Sequence, residues 1–156
     1  MSSESNIDQL DIRILNLLMQ DARKPYLEIA RSCGVSGATV HLRIQKLEKL
    51  GVIRGSRLIV NPASLGVGVC AFLGIYLDKN SKYHDVVKEL KAIPEVVECH
   101  YTTGIYSIFA KVYCRDTQHL REVLNDKVQE IPSVMRTETL ISLEEAFERQ
   151  ILLESE

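Results

Sequence analysis

Tryptophan is absent from this 156-residue sequence, aromatics make up 6%, and there are only 8 glycines and 4 prolines. So few chain breakers leave little room for long disorder beyond the two tips. A run of about 18 apolar residues is also missing, so no segment is expected to span a membrane. The opening Met1-Ser2-Ser3-Glu4-Ser5 has neither the basic nor the apolar region of a secretory signal. Cys33, Cys70, Cys99 and Cys114 include no CxxC pair, which points to reduced thiols in a cytoplasmic protein rather than to a disulfide framework. Catalytic signatures are lacking as well. His41, His84, His100 and His119 are scattered, and no Gly-rich phosphate loop, nucleophile elbow or paired-carboxylate pattern occurs. On a strand, Cys99 and His100 would point to opposite faces and could not chelate one ion. No catalytic residue, metal ligand or resident cofactor is therefore assigned.

What is present is 46% hydrophobic and 26% charged, enough for one ordinary domain or two small ones. The formal net charge of −2 conceals an asymmetry. Residues 1–61 carry nine Lys/Arg against six Asp/Glu, or +3, while residues 62–156 carry ten against fifteen, or −5. Between 22 and 57 the count is eight basic to two acidic. Two domains, 1–61 and 62–156, with a polyanion as partner of the first, follow from that split.

Ile7, Leu10, Ile14, Leu17 and Leu18 form one stripe of an amphipathic helix. Pro25 suits the first position of a second, shorter helix reaching Cys33, which Gly34 stops. Ser36 is an N-cap for a third, with Val40, Ile44, Leu47 and Leu50 inward and Gly51 at its end. Helix, short helix, glycine turn and basic-faced helix give the pattern of a helix-turn-helix, whose last helix is expected to read double-stranded DNA in the major groove. The alternative for the same pattern is a plain three-helix protein-binding bundle. The opposite face holds Gly37, Thr39, His41, Arg43, Lys46 and Lys49. Ser36 and Thr39 are expected to bond phosphate oxygens, and Arg43 to pair with guanine or grip a phosphate. Lys46, Arg54 and Arg57 look like phosphate contacts, the last two on a β-like segment resembling the wing of a winged helix.

After a turn at Asn61-Pro62, the pattern predicts strands at 69–77, 96–102, 106–114 and 134–143 with helices at 83–92 and 117–130. The order βαββαβ is ferredoxin-like, so the fold class is α+β. Both helices would cover one sheet face. The first strand, with Ala71, Leu73, Ile75 and Leu77 on one side and Cys70, Phe72, Gly74 and Tyr76 on the other, is apolar on both. A homodimer is the expected cover for the second face, and its paired reading helices suit a pseudo-palindromic operator. Phe147 and Ile151 at i and i+4 suggest a short amphipathic helix in the tail. The stretch Tyr101-Thr102-Thr103-Gly104-Ile105-Tyr106-Ser107, with Thr137, Glu138 and Thr139 on the last strand, gathers hydroxyls and backbone groups around a glycine. Such a loop fits either an ordinary β-turn or a site for a zwitterionic ligand.

Several motifs together resemble the leucine-responsive regulatory protein/asparagine regulator (Lrp/AsnC) family of transcription factors. They are Leu10-Asp11-Ile12-Arg13-Ile14-Leu15, Gly34-Val35-Ser36, Arg43-Ile44-Gln45-Lys46-Leu47 and Gly51-Val52-Ile53-Arg54-Gly55. The stretches 101–109 and 138–143, with Lys111-Val112 and Cys114-Arg115, look like its asparagine-regulator branch. Many family members have Asp where Ser107 stands here. The resemblance implies an amino-acid effector, asparagine favoured, and dimers assembling into an octameric ring. It places the effector between dimers, near Tyr101, Thr102, Thr103, Gly104, Tyr106, Ser107, Gln129, Thr137 and Thr139. Two alternatives share the architecture: a sirohaem-decarboxylase-like enzyme, with His100 and Arg115 the nearest candidates for substrate carboxylates, and a DNA-organising protein without an effector.

Overall fold

The computed structural model describes residues 7–80 and 82–154. The chain divides into two units: the residues up to Ile59 together with those from Phe147 onward, and Val60–Ala146. The first break lies between Ile59 and Val60. The tail, however, belongs with the first unit rather than the second; there Asn16 Nδ2 donates to the Leu153 carbonyl at 3.1 Å. The expected tail helix does not form, and residues 144–154 run without regular structure. Two apolar residues one turn apart are too few to offset the cost of nucleating a helix.

In the first unit α1 spans Gln9–Gln20, α2 Tyr26–Cys33 and α3 Gly37–Lys49. Asp8 caps α1 in a reciprocal capping box with Asp11. Pro25 lies one residue before α2, at its cap, instead of opening the helix. Gly34 ends α2 at φ 69°, a left-handed conformation that a side chain would strain. Ser36 caps α3 by accepting from the Thr39 N–H at 3.1 Å. The stripes read from the sequence meet in a core of Ile14, Ile29, Ala30, Cys33, Val40 and Ile44. Gly37 lets α2 and α3 approach, since a Cβ there would stand 3.1 Å from Leu27. Residues 53–60, expected to be β-like, form no strand and join no sheet among the described residues, so no wing is built.

The second unit is the βαββαβ arrangement. Strands β1 (Val69–Leu77), β2 (Val96–Tyr101), β3 (Ile108–Cys114) and β4 (Val134–Ile141) form one sheet in the order β2-β3-β1-β4. All neighbours are antiparallel. Helix α4 (Tyr83–Lys91) and α5 (Thr117–Glu122), which continues to Val128 in wider π-type turns, bury Val86, Leu90, Leu120 and Val123 against one face. That face is Ala71, Leu73 and Ile75 from β1 with Ile108, Ala110 and Val112 from β3. Cys70, Phe72, Gly74 and Tyr76 point to the other face, where Phe72 stacks on Phe109 at 5.8 Å between ring centroids. Strand β1 has the expected bounds, and β4 ends two residues early at Ile141. Strands β2 and β3 are shorter by one and two residues, because Thr102, Tyr106 and Ser107 leave the ladder to build the β2–β3 loop.

Candidate functional site

Helix α3 sorts its polar side chains by direction. Arg43 and Lys46 turn toward α1. Arg43 pairs with Asp8 and with Asp11 Oδ1 at 3.2 Å, and Lys46 Nζ lies 2.8 Å from Asp11 Oδ2. Asp11 is wholly buried, and its carboxylate also accepts the Asp8 N–H at 3.1 Å. Burying a charge without partners would be costly, and these two cations supply them. The hydrogen bond from Arg43 holds the Asp8 carboxyl below the ordinary carboxylate range. Arg43 and Lys46, expected to project outward to base and phosphate, therefore tie the reading helix to α1.

The outward stripe consists of Ala38, His41, Leu42, Gln45 and Lys49, all exposed. Gln45 Nε2 meets His41 Nε2 at 3.0 Å, and the His41 ring lies 6.0 Å from that of Tyr26. Ser36 and Thr39 are bonded to each other through their hydroxyls at 2.9 Å; Ser36 stays at the exposed start of α3, with Gly37 beside it. Arg54 and Arg57 stand exposed on the segment after α3, and Arg57 approaches Glu148 of the tail at 3.5 Å. That ion pair lies in solvent and contributes little.

At one end of the sheet the β2–β3 loop folds over β1. Thr102 N–H donates to the Ser107 carbonyl at 3.1 Å, and Ser107 N–H to the Ile75 carbonyl at 3.0 Å. Thr102 Oγ1 donates to the Tyr106 carbonyl at 2.9 Å. Thr103 and Gly104 are exposed at the tip, where Gly104 has φ 104°. Tyr101 sits on the helix side against the Tyr83 ring, 4.4 Å between centroids. Tyr106 crosses to the open face. There its hydroxyl donates to Glu138 Oε2 at 2.8 Å, and the Tyr76 hydroxyl donates to Oε1 at 2.9 Å. Arg136 joins the same carboxylate at 2.9 Å and lies 4.1 Å over the Tyr76 ring. The hydrogen bonds from Tyr106 and Tyr76 keep the Glu138 carboxyl below its usual range, and the same bond pushes the Tyr106 phenol up.

Gln129, Thr137 and Thr139 are elsewhere. Thr137 and Thr139 pair with Ile75 and Leu73, which puts them on the helix-covered side, and Gln129 Nε2 reaches Thr137 Oγ1 at 3.3 Å. Within one chain, therefore, these three and Tyr106 lie on opposite faces of the sheet, at the same end. His100 and Arg115 do not converge at all. His100 is paired with Phe109 on β3, and Arg115 follows that strand's last residue, six positions on, about 20 Å away at strand rise.

Residues 7–48 match the AsnC-type helix-turn-helix domain, and residues 70–152 match the Lrp/AsnC ligand binding domain. The chain belongs to the Lrp/AsnC family. It is 45% identical over 146 residues to the regulatory protein AsnC of Haemophilus influenzae, covering 94% of this chain and 97% of that protein. Against the regulatory protein AsnC of Escherichia coli strain K12 the identity is 44%, over 93% and 95% of the two chains. The solved structure of E. coli AsnC superposes with a TM-score of 0.88, covering 94% of this chain and 99% of that one at 44% identity. A feast or famine regulatory protein from M. tuberculosis, complexed with L-methionine, reaches the same TM-score at 28% identity over 94% and 99%.

As a member of the Lrp/AsnC family the chain is a DNA-binding transcriptional regulator with a ligand-binding second unit. No helix among the described residues is long and apolar enough to cross a membrane. Sequence reasoning centred on cations overlooked Gln45 and Leu42 on the reading face, and Tyr76 and Arg136 beside Glu138. The helical period gives the first pair: both lie near the angular position of Ala38, opposite Val40 and Leu47. The second pair is set by cross-strand register, Tyr76 opposite Arg136, which no local pattern encodes.

Proposed function

We propose that this chain is a regulator whose dimers read a pseudo-palindromic operator and whose second unit responds to a small amino acid, asparagine, by binding rather than by catalysis. The observation that carries the reading is the β2–β3 loop. Its Gly104 tip stands exposed at the sheet end, with backbone and hydroxyl groups around it, in a unit that matches the family's ligand-binding domain. The division of Gln129, Thr137 and Thr139 from the loop across the sheet favours a site completed by a neighbouring subunit, as expected for dimers assembled into an octamer. The AsnC name of the relatives supports asparagine, and the M. tuberculosis complex shows an amino acid held by a protein of the same fold. Effector binding acts on DNA affinity only so far as the ligand prefers one assembly state over another.

Isothermal titration of the full-length protein with the twenty amino acids tests this. Asparagine is expected to give saturable heat and a raised melting temperature, leucine neither. Gly104→Val, which strains the backbone at φ 104°, should weaken asparagine binding while leaving operator binding by the ligand-free protein intact. Silence from every amino acid would overturn the effector reading and leave the DNA-organising alternative; heat from leucine alone would overturn asparagine.

A further inference from the structure

With Arg43 and Lys46 committed to Asp11, the reading helix has a different set of side chains to offer DNA. At about 100° per residue, Ala38, Leu42, Gln45 and Lys49 fall within about 60° of one another, while Arg43 lies about 140° from Ala38. We infer that Gln45, oriented by His41, is the residue that specifies a base in the operator, and that the base is adenine. The inference rests on α3 entering the major groove, as in the family reading above.

Of the side chains on the stripe and beside it, Gln45 alone carries a donor and an acceptor side by side in one plane. Adenine presents the complementary pair in the major groove, the N7 acceptor next to the N6 amino donor. A lysine offers donors only, and an imidazole carries its two nitrogens on separate edges. The 3.0 Å contact between Gln45 Nε2 and His41 Nε2 then fixes the amide. An amide nitrogen only donates, so in this contact His41 Nε2 serves as the acceptor. One amide proton is spent on His41; the other, with Oε1, is left for adenine. A glutamine without such a partner would have to freeze its side-chain rotors on binding. Here the helix spacing of four residues supplies the hold in advance. Ala38 and Leu42, the latter 65% exposed, line the stripe with apolar surface suited to thymine methyl groups. The reading face is thus built for A·T-containing sequence, and Lys49 at its far end is placed to meet phosphate.

Selection of bound duplexes from a randomised pool, followed by competition with single-base-pair variants at fixed salt, tests the assignment on the full-length protein. The wild type is expected to demand adenine at one position per half-site, with a discrimination of about 5- to 150-fold. Gln45→Ala should bring that position close to indifference and leave the other positions and the salt slope unchanged. His41→Ala should lower the discrimination in part, and Gln45→Arg should move the preference to guanine. A Gln45→Ala protein that selects the same sequence with the same discrimination overturns the inference alone. A wild type that selects no sequence above random DNA overturns the sequence-reading function with it. Because Gln45 is exposed and packs on nothing in the core, loss of folding does not confuse the outcomes.

Discussion

Gly74 shows how one missing side chain positions the loop end of the sheet. A Cβ at Gly74 would stand 2.4 Å from the Tyr106 ring, far inside van der Waals contact. The ring therefore lies against the backbone of β1 at Gly74 and carries its hydroxyl across to Glu138 on β4. Replacing Gly74 by alanine must expel the ring or bend the strand, and overpacking of that kind typically costs about 1–3 kcal/mol. Denaturant titration of Gly74→Ala should show a loss of that size, and Gly74→Ala with Tyr106→Ala should lose less than the two single changes summed. Additive losses would mean the two residues do not share the space. In the sequence, Gly74 is one glycine inside an apolar strand, and that pattern places it on the face with Phe72 and Tyr76. What the sequence leaves out is the neighbour: Tyr106 arrives from a loop more than thirty residues later, and only the folded register brings the ring over the glycine.

At the scale of elements, the helices of the head were legible because each buries a stripe with the helical period and each ends at a residue suited to ending it. Ile14, Ile29, Val40 and Ile44 are core in the structure as they are in the pattern, and Ser36 and Gly34 cap the helices on either side of the turn. The direction of Arg43 and Lys46 was not legible in the same way. Both sit off the apolar stripe, and a stripe alone does not say whether its flank meets water or an acidic neighbour. Asp11 decides it, since a buried carboxylate on α1 must find cations and α3 is where they are. The tail failed for a related reason: its spacing satisfies a helix rule, yet too few side chains find a surface to pack on. A consequence separates the two roles of a cation on a reading helix. Arg43→Ala leaves Asp11 buried with one partner fewer and should lower the stability of the head by about 3 kcal/mol, the low end for breaking a buried ion pair. Its operator preference, measured at a temperature where the variant is folded, should match that of the wild type. Relaxed preference at one base pair with unchanged stability would return Arg43 to the base-reading set.

For the molecule as a whole, the units rearrange the charge read along the chain. Residues through 59 carry nine Lys/Arg and six Asp/Glu, but the tail from 147 adds one basic and three acidic residues, so the first unit nets +1. The second nets −3, from nine basic and twelve acidic residues. A single head with so small an excess has a weak electrostatic grip on DNA, which favours the proposed reading of two heads held together on the operator. The open face of the sheet is the surface that can hold them. Phe72, Phe109, Tyr76 and Tyr113 lie on it, half-buried within one chain, and Lys111 is held among them with only 12% of its side chain exposed, paired to Glu145 at 3.3 Å. Joining two chains raises the local concentration of the second head near the first to the millimolar range, enough to tighten binding by about 100- to 10,000-fold without a new DNA contact. Phe72→Glu places a carboxylate in the centre of that face, where it stacks in the wild type on Phe109. Equilibrium sedimentation should then find monomers at micromolar concentration where the wild type is dimeric or larger. Affinity for a full operator should fall toward that for a half-site, while affinity for an isolated half-site stays as it was. A Phe72→Glu protein that remains a dimer, or that keeps its full-operator affinity as a monomer, would show that the heads are paired through another surface.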